Sequence, residues 1–540
     1  MTRPWTLPAC FLAASVLFFF ANRGAYKAYF SDDDFGNLGW PTFVGNDVYL
    51  KGLTTLRFDG NNFRPIGDLF YRYAYRAFHF RFPPYVVVLQ IIHGLNVFLL
   101  FLILRRLGSS PLVAGCGALF YSFHAAVLEA YWKPMYVFDL LCATFCLLAL
   151  ALYIRGRWIL AFIAFWLAFK SKELALMLPI ALLAYEWLFG KRQWKRLLPF
   201  FAISIVIGAQ VLWLNRTVDP GSTYALRFDP RPLWQSITFY SSRVFFLPYL
   251  GLALLLPLIW IRDRLLYLGL ISTAAWIAPL LLLHQRMDTV YWYVPLIGVA
   301  IAASSIAARM PRWAVALFFA LWLPLNFLLL REKRRAIIAA GDRDRALLAT
   351  VGDYARTVPP VRAVVFENMP DGINVWGVQG AISLSFGQSV ESAWTGMPES
   401  KELLARFPMA LIQFRPGFHV RGVVRTRDGA QSYIRFDGVA PVEQFGAAWR
   451  VRDDDSRWID QPAECVLYRP ASATGFEIVA RIFGSTSITV IEGDQTLGTL
   501  TSQSGVQTLH WKLPIADAGE KHIRIVSAGV AIKTLGYISH

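Results

Sequence analysis

Long apolar runs recur through the first 330 residues of the chain, and they constrain its fold more than any other feature. An α-helix needs about 20 apolar residues to cross the hydrocarbon core of a bilayer. Hydrophobic residues make up 56% of the 540 residues and charged residues 16%, which is too apolar for a soluble globular protein. The pattern predicts a multi-spanning α-helical membrane protein with about 11 transmembrane helices. The predicted spans are 7–20, 84–104, 111–128, 135–154, 158–170, 174–189, 197–214, 244–261, 265–283, 290–308 and 312–330.

The connections between these runs alternate in charge. Arg and Lys collect in every second connection, at 105–106, 155–157, 191–196, 262–264 and 309–312. Because basic loops stay in the cytoplasm, this alternation predicts a cytoplasmic N-terminus and an extracytoplasmic first loop. An odd number of spans then places the C-terminal part outside as well. The net charge of +17 therefore indicates membrane orientation, and we expect no nucleic-acid partner.

The character of the chain changes after the last apolar run. Residues 334–357 have the pattern of a charged amphipathic helix, and short β-type runs follow at 363–366, 422–425, 477–483, 487–492 and 523–526. We predict a transmembrane domain at 1–332 with its first extracytoplasmic loop at 22–82, an α+β region at 333–470 and a small β-sandwich at 471–540. No catalytic pattern occurs after residue 332, so capping the membrane domain is the default role. Binding of a glycan or a partner is the alternative.

Three consecutive acids follow the first apolar run, at Asp32, Asp33 and Asp34. Carboxylates close to a membrane are costly unless they are hydrated, bound to metal or paired with cations. The group could supply a general base, and Asp32-x-Asp34 also fits a metal-binding pattern, although three successive acids fit it trivially. The alternative is a solvated turn that caps a helix.

Further charged residues lie near the same predicted side of the membrane. Arg64 could contact a phosphate or pair with a neighbouring acid such as Asp68. Lys172 and Glu173 could neutralise each other, or Lys172 could bind an anion. Glu129 and Lys133 are spaced to pair on one helix face.

Two histidines lie in or beside apolar runs. His93 has Asn96 one helical turn away, which favours interhelical hydrogen bonding over catalysis. His124 precedes Glu129 in the run Phe123–Ala130.

Taken in order, several short motifs resemble those of one superfamily. They are Asp33-Asp34-Phe35, Phe63-Arg64-Pro65, His93-Gly94-Leu95-Asn96, Phe123–Ala130, Asp139-Leu140-Leu141, Ser171-Lys172-Glu173 and Tyr293-Val294-Pro295 with Gly298. This layout resembles the GT-C superfamily of polyprenyl-phosphate-sugar-dependent membrane glycosyltransferases over residues 1–330. It is most similar to bacterial relatives of the protein O-mannosyltransferases and transmembrane O-mannosyltransferases, without their tetratricopeptide tail. The arginine usual before the Tyr-x-Pro motif is Val290 here, and Arg286 lies further upstream.

The resemblance implies an inverting hexosyl- or pentosyltransferase. Such an enzyme moves a sugar from a polyprenyl-phosphate donor to an acceptor hydroxyl on the extracytoplasmic face of a bacterial inner membrane. It implies Asp33 as general base, with Asp34 supporting it or joining Asp32 in holding a divalent metal (Mg²⁺ or Mn²⁺). The partners implied are the donor, membrane lipids and an acceptor, which is a cell-envelope glycan, a lipid or a protein in protein glycosylation. The residues implied in donor-phosphate or substrate binding are Arg64, His93, His124, Glu129, Lys172, Glu173 and Arg286.

Other function classes share some of these features. A lipid-linked glycan transporter or flippase would also have many spans, but it would show repeats and charges near the midplane. A glycan ligase or polymerase would have larger outer loops rich in Arg and His. An inactive scaffold that binds through its β-domain is the third alternative.

Overall fold

Apolar helices build the N-terminal part of the chain and β-strands build the C-terminal part. The structure is a computed structural model that describes residues 6–58, 63–219, 221–404, 406–425, 429–437, 440–446, 448–453, 455–515, 517–527 and 529–539. Its contacts divide the chain into two units, Met1–Arg343 and Asp344–His540. The α-helices that begin in the first unit are α1 (Thr6–Ala21), α2 (Asp32–Phe43), α3 (Asn46–Thr54), α4 (Pro65–Phe78), α5 (Phe82–Arg106), α6 (Pro111–Ser122), α7 (Val137–Ile154), α8 (Trp158–Ser171), α9 (Leu178–Leu188), α10 (Leu198–Asn215), α11 (Pro230–Phe245), α12 (Arg264–Leu281), α13 (Pro295–Ala307) and α14 (Arg312–Thr357).

Among the described residues, five helical segments are long and apolar enough to cross a membrane: those of α5, α7, α10, α12 and α14. The number rises to seven if each of two bent helix pairs forms one span. The remaining predicted spans correspond to the shorter helices α1, α8, α9 and α13, so the count of eleven stays a prediction.

The surfaces of these helices are suited to lipid. On α10, Ile205 and Trp213 are 67% and 68% exposed, and on α14 Trp313 is 70% exposed. Large exposed apolar side chains along helices of membrane-spanning length are stable in a bilayer and costly in water. The first unit is therefore that of an integral membrane protein.

The predicted span 111–128 is bent in the structure. Helix α6 meets the 3₁₀ helix Ala125–Tyr131 at an angle of 69°. At the break the Ala125 amide donates to Oδ1 of Asn326 at 2.7 Å, and the Ala126 amide donates to Nδ1 of His124 at 3.2 Å. These side chains accept the amides that a continuous helix would have bonded to its own backbone.

The predicted span 244–261 is not one continuous helix. Helix α11 occupies much of the predicted loop 215–243, and the 3₁₀ helix Leu250–Ile259 follows at 81°. The physical reason is Pro248, which has no amide proton and disfavours helical geometry at the residue before it. Phe246 and Tyr249 have φ angles of 61° and 60°, in the left-handed region. Hydropathy detects the apolar run but not this reversal.

Residues 334–357 are helical as predicted, but they continue α14 and do not form a separate helix. Unit 2 then begins with a four-stranded sheet in the order β2-β1-β3-β4, with β1 to β3 parallel and β4 antiparallel. Helix α15 (Val375–Phe386) connects β1 to β2, and the short helix α16 (Ser400–Leu403) connects β2 to β3. The strands are β1 (Ala363–Glu367), β2 (Glu391–Trp394), β3 (Met409–Arg415) and β4 (His419–Arg425). The α+β prediction is confirmed for this part.

A β-sandwich follows, and it begins earlier than predicted. One sheet has the order β11-β10-β13-β8 and the other β12-β9-β14-β7-β6, with β5 also beside β14. The predicted boundary at 471 is wrong, because four strands before it pair with strands after it or with one another. The strands are β5 (Tyr433–Arg435), β6 (Trp449–Asp453), β7 (Ser456–Ile459), β8 (Ala463–Arg469), β9 (Gly475–Ile482), β10 (Thr486–Glu492), β11 (Gln495–Ser502), β12 (Gly505–Lys512), β13 (Gly519–Val526) and β14 (Val530–Ile538).

Alternation along the strands explains the core of the sandwich. In β9, Phe476, Ile478, Ala480 and Ile482 are buried and the residues between them are partly exposed. Side chains at every second position face the same side of a sheet, so such a strand covers one core.

Candidate active site

The three acids form the first turn of α2. Ser31 is the N-cap, and its backbone amide and Oγ both donate to Oδ2 of Asp34 at 2.8 Å. The Asp34 amide donates to the Ser31 carbonyl at 2.8 Å. Acids are favourable here because the helix N-terminus carries partial positive charge. The acids therefore lie at the start of a helix, but the N-cap is Ser31, and Asp34 is a buried N3 residue and not part of a solvated turn.

Asp34 is fully buried, and both of its oxygens accept hydrogen bonds. Besides the two bonds from Ser31, Tyr71 Oη donates to Oδ1 at 2.5 Å. Burial raises the pKa of Asp34 to about 6; Tyr71 and Ser31 act to lower it, and the charge of Asp33 raises it. Asp34 is therefore suited to positioning its neighbours and not to contacting a substrate.

Asp32 and Asp33 are half-buried, and the Asp33 amide donates to Oδ1 of Asp32 at 2.9 Å. A metal at Asp32 and Asp34 does not fit this arrangement, because the oxygens of Asp34 already serve three donors. Among the residues that the structure describes, no group of three His, Cys, Asp or Glu side chains could hold a metal ion. Asp33 is the acid of the triplet that combines partial exposure with a position beside the fixed Asp34.

Arg64 and Glu173 form a bidentate ion pair. Arg64 Nε donates to Glu173 Oε1 at 3.0 Å, and Nη2 donates to Oε2 at 2.9 Å. Burial acts to raise the pKa of Glu173, but the Arg64 guanidinium outweighs it, so this pKa lies below its ordinary value. The Arg64 amide also donates to Asp68 Oδ2 at 3.0 Å. Arg64 thus joins the first loop to the end of α8.

Lys172 pairs with a different acid. Its Nζ donates to the two carboxylate oxygens of Asp139 at 2.6 and 2.7 Å. Helix α8 ends at Ser171, and Lys172 is extended with φ −164° and ψ 143°. This break sends Lys172 and Glu173 to separate partners, so the prediction that they could neutralise each other is wrong. Asp139 begins the motif Asp139-Leu140-Leu141, and its pairing with Lys172 is not predicted by the sequence.

Glu129 binds two lysines. Lys133 Nζ lies 2.8 Å from Oε2, as its i,i+4 spacing predicted, and Lys333 Nζ lies 2.7 Å from Oε1. Lys333 also donates to Thr289 Oγ1 at 2.7 Å, which brings the start of the late helical segment to the same place. Asp288, whose Oδ2 accepts from Tyr136 Oη at 3.1 Å, and Asp34 both interact electrostatically with Lys133.

Arg286 lies among aromatic rings. Its Nε donates to Tyr291 Oη at 2.7 Å, and its guanidinium is 4.3 Å from the centroid of the Tyr224 ring. Lys172 lies 4.7 Å from the ring of the same Tyr291, and Arg64 is close enough to repel Arg286. Within the described ranges, Arg286 is a cation of this cluster that has no carboxylate partner.

The two histidines are placed in helix packing. His93 Nδ1 is 2.7 Å from Tyr293 Oη and Nε2 is 3.2 Å from the Ser122 carbonyl, so interhelical hydrogen bonding is confirmed. His124 Nε2 is 3.0 Å from the Val244 carbonyl. Both side chains are fully buried, and none of these bonds is to the acids and cations described above.

The acids and cations therefore form one contiguous cluster built from distant parts of the chain. The structure brings together the predicted Asp34, Arg64, Glu129, Lys172, Glu173 and Arg286, and Asp32 and Asp33 adjoin this cluster as the residues that precede Asp34 in α2. It adds residues not predicted to belong to the site, namely Tyr71, Asp139, Asp288, Tyr291 and Lys333. The sequence contains a signal for Asp139. It lies in the first turn of the apolar helix α7, where a buried carboxylate needs a cation as partner.

The chain matches no protein-family model and no curated protein. Solved structures similar to it include ArnT from Cupriavidus metallidurans in the apo state, at 11% identity and a TM-score of 0.45 over 76% of this chain and 93% of ArnT. ArnT bound to undecaprenyl phosphate gives 12% identity and a TM-score of 0.43 over 76% and 94% of the two chains. The arabinosyltransferase EmbB from Mycobacterium smegmatis is 13% identical with a TM-score of 0.32; the match covers 97% of this chain and 64% of EmbB. A family 6 carbohydrate-binding module is 19% identical with a TM-score of 0.17 over 21% of this chain and 95% of the module.

A specific relation to the O-mannosyltransferases stays a prediction. At these identities and TM-scores the similarities assign no activity, and the chemistry of the site has to be read from the residues of this chain.

Proposed function

We propose that the protein is an inverting membrane glycosyltransferase that moves a sugar from a polyprenyl-phosphate donor to an acceptor hydroxyl. The observation that carries the proposal is the cluster itself. Asp33 is half-buried and precedes the buried Asp34, which interacts electrostatically with Lys133, and Arg64, Lys172 and Lys333 form ion pairs in the same cluster. A lipid-linked phosphosugar requires those groups: a base, a phosphate site and access from the bilayer.

In the proposed reaction Asp33 is the general base. The acceptor hydroxyl attacks the anomeric carbon as the bond from that carbon to the phosphate oxygen breaks. Asp33 takes the hydroxyl proton, and the leaving group departs as polyprenyl phosphate. Asp34 is a positioning residue, because its bonds to Ser31 and Tyr71 fix the first turn of α2.

Cations stabilise the charge that grows on the departing phosphate. Arg286 is our first candidate, since it has no carboxylate partner within the described ranges and presents a charged planar donor beside Tyr291. Lys172 and Arg64 are already paired with carboxylates, so they would bind the phosphate only by exchanging or sharing those partners. Since the residues at Asp32 and Asp34 do not fit a metal, no step is assigned to one.

The proposed orientation follows the charge of the loops. With the N-terminus in the cytoplasm, the cluster faces the extracytoplasmic side of a bacterial inner membrane. The donor sugar is a hexose or a pentose, and the acceptor is a glycan, lipid or protein of the cell envelope.

The test of the base uses the full-length protein in nanodiscs with a radiolabelled undecaprenyl-phosphate sugar and an envelope extract as acceptor. We expect Asp33→Asn to lower sugar transfer by about 10²–10⁴-fold while donor binding is retained. Asp32→Asn is the matched control and should change transfer by less than about tenfold. Robust transfer by Asp33→Asn would contradict the assignment.

The same assay tests the two alternatives. Loss of transfer with a chelator and its return with Mg²⁺ would reassign the acids to a metal. Passage of the donor across the bilayer without transfer would favour a transporter.

The test of the phosphate site compares Arg286→Gln, Arg286→Lys and the exposed control Arg231→Gln. We expect Arg286→Gln to weaken donor binding by about tenfold or more, because a charge-assisted hydrogen bond contributes roughly 1.5–3 kcal/mol. Arg286→Lys should keep part of the affinity. Donor binding that is equal in Arg286→Gln and Arg231→Gln would exclude Arg286 from the phosphate site.

A further inference from the structure

A cavity of about 440 Å³ lies at the end of α10. None of the acids and cations of the active-site cluster lines it. Its lining consists of Arg57, Phe58, Ala209, Gln210, Trp213 and Leu214. Its size is within the range of small-molecule sites, and its lining is apolar with few polar groups.

One wall of the cavity is a segment of the first loop that is fixed to two helices. The Phe58 amide donates to Gln210 Oε1 at 2.8 Å, and Gln210 Nε2 donates to the Leu56 carbonyl at 3.0 Å. On the α8 side, Lys170 Nζ donates to the Thr55 carbonyl at 2.7 Å and Trp166 Nε1 donates to the Leu53 carbonyl at 2.8 Å. The segment 53–58 therefore bridges α8 and α10, and the wall that carries Arg57 is held by four hydrogen bonds to side chains of the two helices.

The cavity lies where α10 reaches the boundary of the bilayer. The apolar segment Trp194–Asn215 has 22 residues, about the length that spans the hydrocarbon core, and the cavity residues lie in its last two turns. Trp213 is 68% exposed there, and Arg216 follows three residues later, just after the end of α10. Exposed Trp and Arg at the end of a span are typical of the headgroup region.

Two arginines make this boundary positive. Arg57 is exposed on the cavity wall, and the Arg216 guanidinium lies 4.9 Å from the centroid of the Trp213 ring. In the part of the chain that the structure describes, neither arginine forms an ion pair with a carboxylate. Guanidinium groups match phosphate oxygens, and each cation near the membrane surface strengthens the binding of anionic lipid by about fivefold.

We propose that this cavity is a binding site for the phosphate group of an anionic lipid. Arg57 and Arg216 contact the phosphate, Gln210 and the fixed loop segment form the wall, and the lipid chain runs along Ala209 and the exposed face of α10. The phosphate could belong to a phospholipid of the bilayer or to a polyprenyl phosphate, since both join a phosphate to an apolar chain. The site is separate from the active-site cluster and does not depend on the proposed sugar transfer.

The experiment measures the lipid retained by the full-length protein. The protein is assembled in nanodiscs of phosphatidylcholine with phosphatidylglycerol, transferred to detergent, and examined by native mass spectrometry. We expect wild type to retain phosphatidylglycerol over phosphatidylcholine, and Arg57→Gln/Arg216→Gln to retain about tenfold less of it. Arg231→Gln is the matched control and should behave as wild type, and Arg57→Lys/Arg216→Lys should recover part of the retention.

Competition identifies the source of the phosphate. Displacement of phosphatidylglycerol by equimolar undecaprenyl phosphate assigns the site to the polyprenyl carrier, and failure of displacement assigns it to the bilayer phospholipid. Equal retention by wild type and the double glutamine variant, or equal retention of phosphatidylcholine, would overturn the proposal. Displacement by inorganic phosphate alone at the same concentration would overturn it as well, because it would show that no lipid chain is recognised. Sugar transfer is measured separately, so failure of this site and failure of the proposed function are distinguishable.

Discussion

At the scale of single residues, the acid triplet contains two kinds of carboxylate. Asp34 is buried with three hydrogen-bond donors, whereas Asp32 and Asp33 remain half-buried. Burial of a carboxylate is costly, and donors offset that cost without removing it. The division explains how three identical side chains in one helical turn can differ in role.

Buried acids of the first loop predict that stability depends on pH. Burial raises the pKa of Asp34 to about 6 and that of Asp68 to about 7, while hydrogen bonds to each act in the opposite direction. Both pKa values in the folded state exceed those in the unfolded state. The stability that each group contributes is therefore present at low pH and lost as pH rises through the folded pKa. We expect the free energy of unfolding to fall between about pH 4 and pH 7, by on the order of 1 kcal/mol per pH unit and group.

Thermal unfolding of the protein in detergent across this pH range measures the effect. Asp68→Asn should make the pH dependence shallower, whereas the exposed Asp47→Asn on α3 should leave it unchanged. An identical pH dependence in wild type and Asp68→Asn would contradict the expectation.

At the scale of elements, the break after α8 organises the charges. A continuous helix would place Lys172 and Glu173 about 100° apart around one axis. The extended Lys172 instead directs one side chain to Asp139 on α7 and the next to Arg64 before α4. Two ion pairs thereby connect three helical elements.

The pair between Arg64 and Glu173 should behave as a partly buried ion pair. Their side chains are 19% and 29% exposed. We expect Glu173→Met to lower the free energy of unfolding by on the order of 2 kcal/mol, because Arg64 is left without its bidentate partner. Arg64→Met/Glu173→Met should recover most of this loss, since no charge is then left unpaired.

Chemical or thermal unfolding in detergent completes the double-mutant cycle. The control is Arg309→Met, which removes the partner of Asp263 from a pair whose arginine is 45% exposed and should cost less than about 1 kcal/mol. A double variant as unstable as Glu173→Met would show that the pair contributes packing and not charge compensation.

At the scale of the whole molecule, the sequence predicted what depends on local pattern. Apolar runs gave most of the helices, and alternating residues gave strands such as β9 and β10. The reversal at Pro248 was missed because hydropathy does not measure backbone angles. The strands before residue 471 were not assigned to the sandwich because their partners, such as β13 for β8, lie about 50 residues further along the chain.

The residues of the site were predictable where a local pattern marked them, and their long-range partners were not. Charges in an apolar chain indicate function or pairing, which identified Arg64, Glu129, Lys172 and Glu173. The sequence indicates that Asp139 needs a cation, but it does not indicate that Lys172 is that cation or that Lys333 pairs with Glu129, because these partners come from other helices. His93 shows that a polar residue on a predicted span need not belong to a site. Its hydrogen bonds are made to neighbouring helices, as in the contact with Tyr293.

Unit 2 allows a prediction about folding without the membrane. Its sandwich and its α+β sheet have separate apolar cores, and a buried ion pair between Arg457 of β7 and Glu367 of β1 connects them. We expect residues 344–540 to fold as a soluble fragment that unfolds in a single transition. Arg457→Met should lower its stability by about 3 kcal/mol or separate the transition into two, because Glu367 is left buried without a cation.

Circular dichroism and calorimetry of the fragment decide between these outcomes, and a second variant isolates the cause. Arg457→Met/Glu367→Met removes both charges and should restore a single transition, since apolar side chains can replace a buried pair without an unpaired charge. The exposed pair of Arg435 and Asp437 provides the control, because loss of Arg435 should change stability by less than about 1 kcal/mol. A wild-type fragment that unfolds in two transitions would mean that the ion pair does not couple the sheets. In that case the α+β region and the sandwich would be independent domains, each stabilised by its own core.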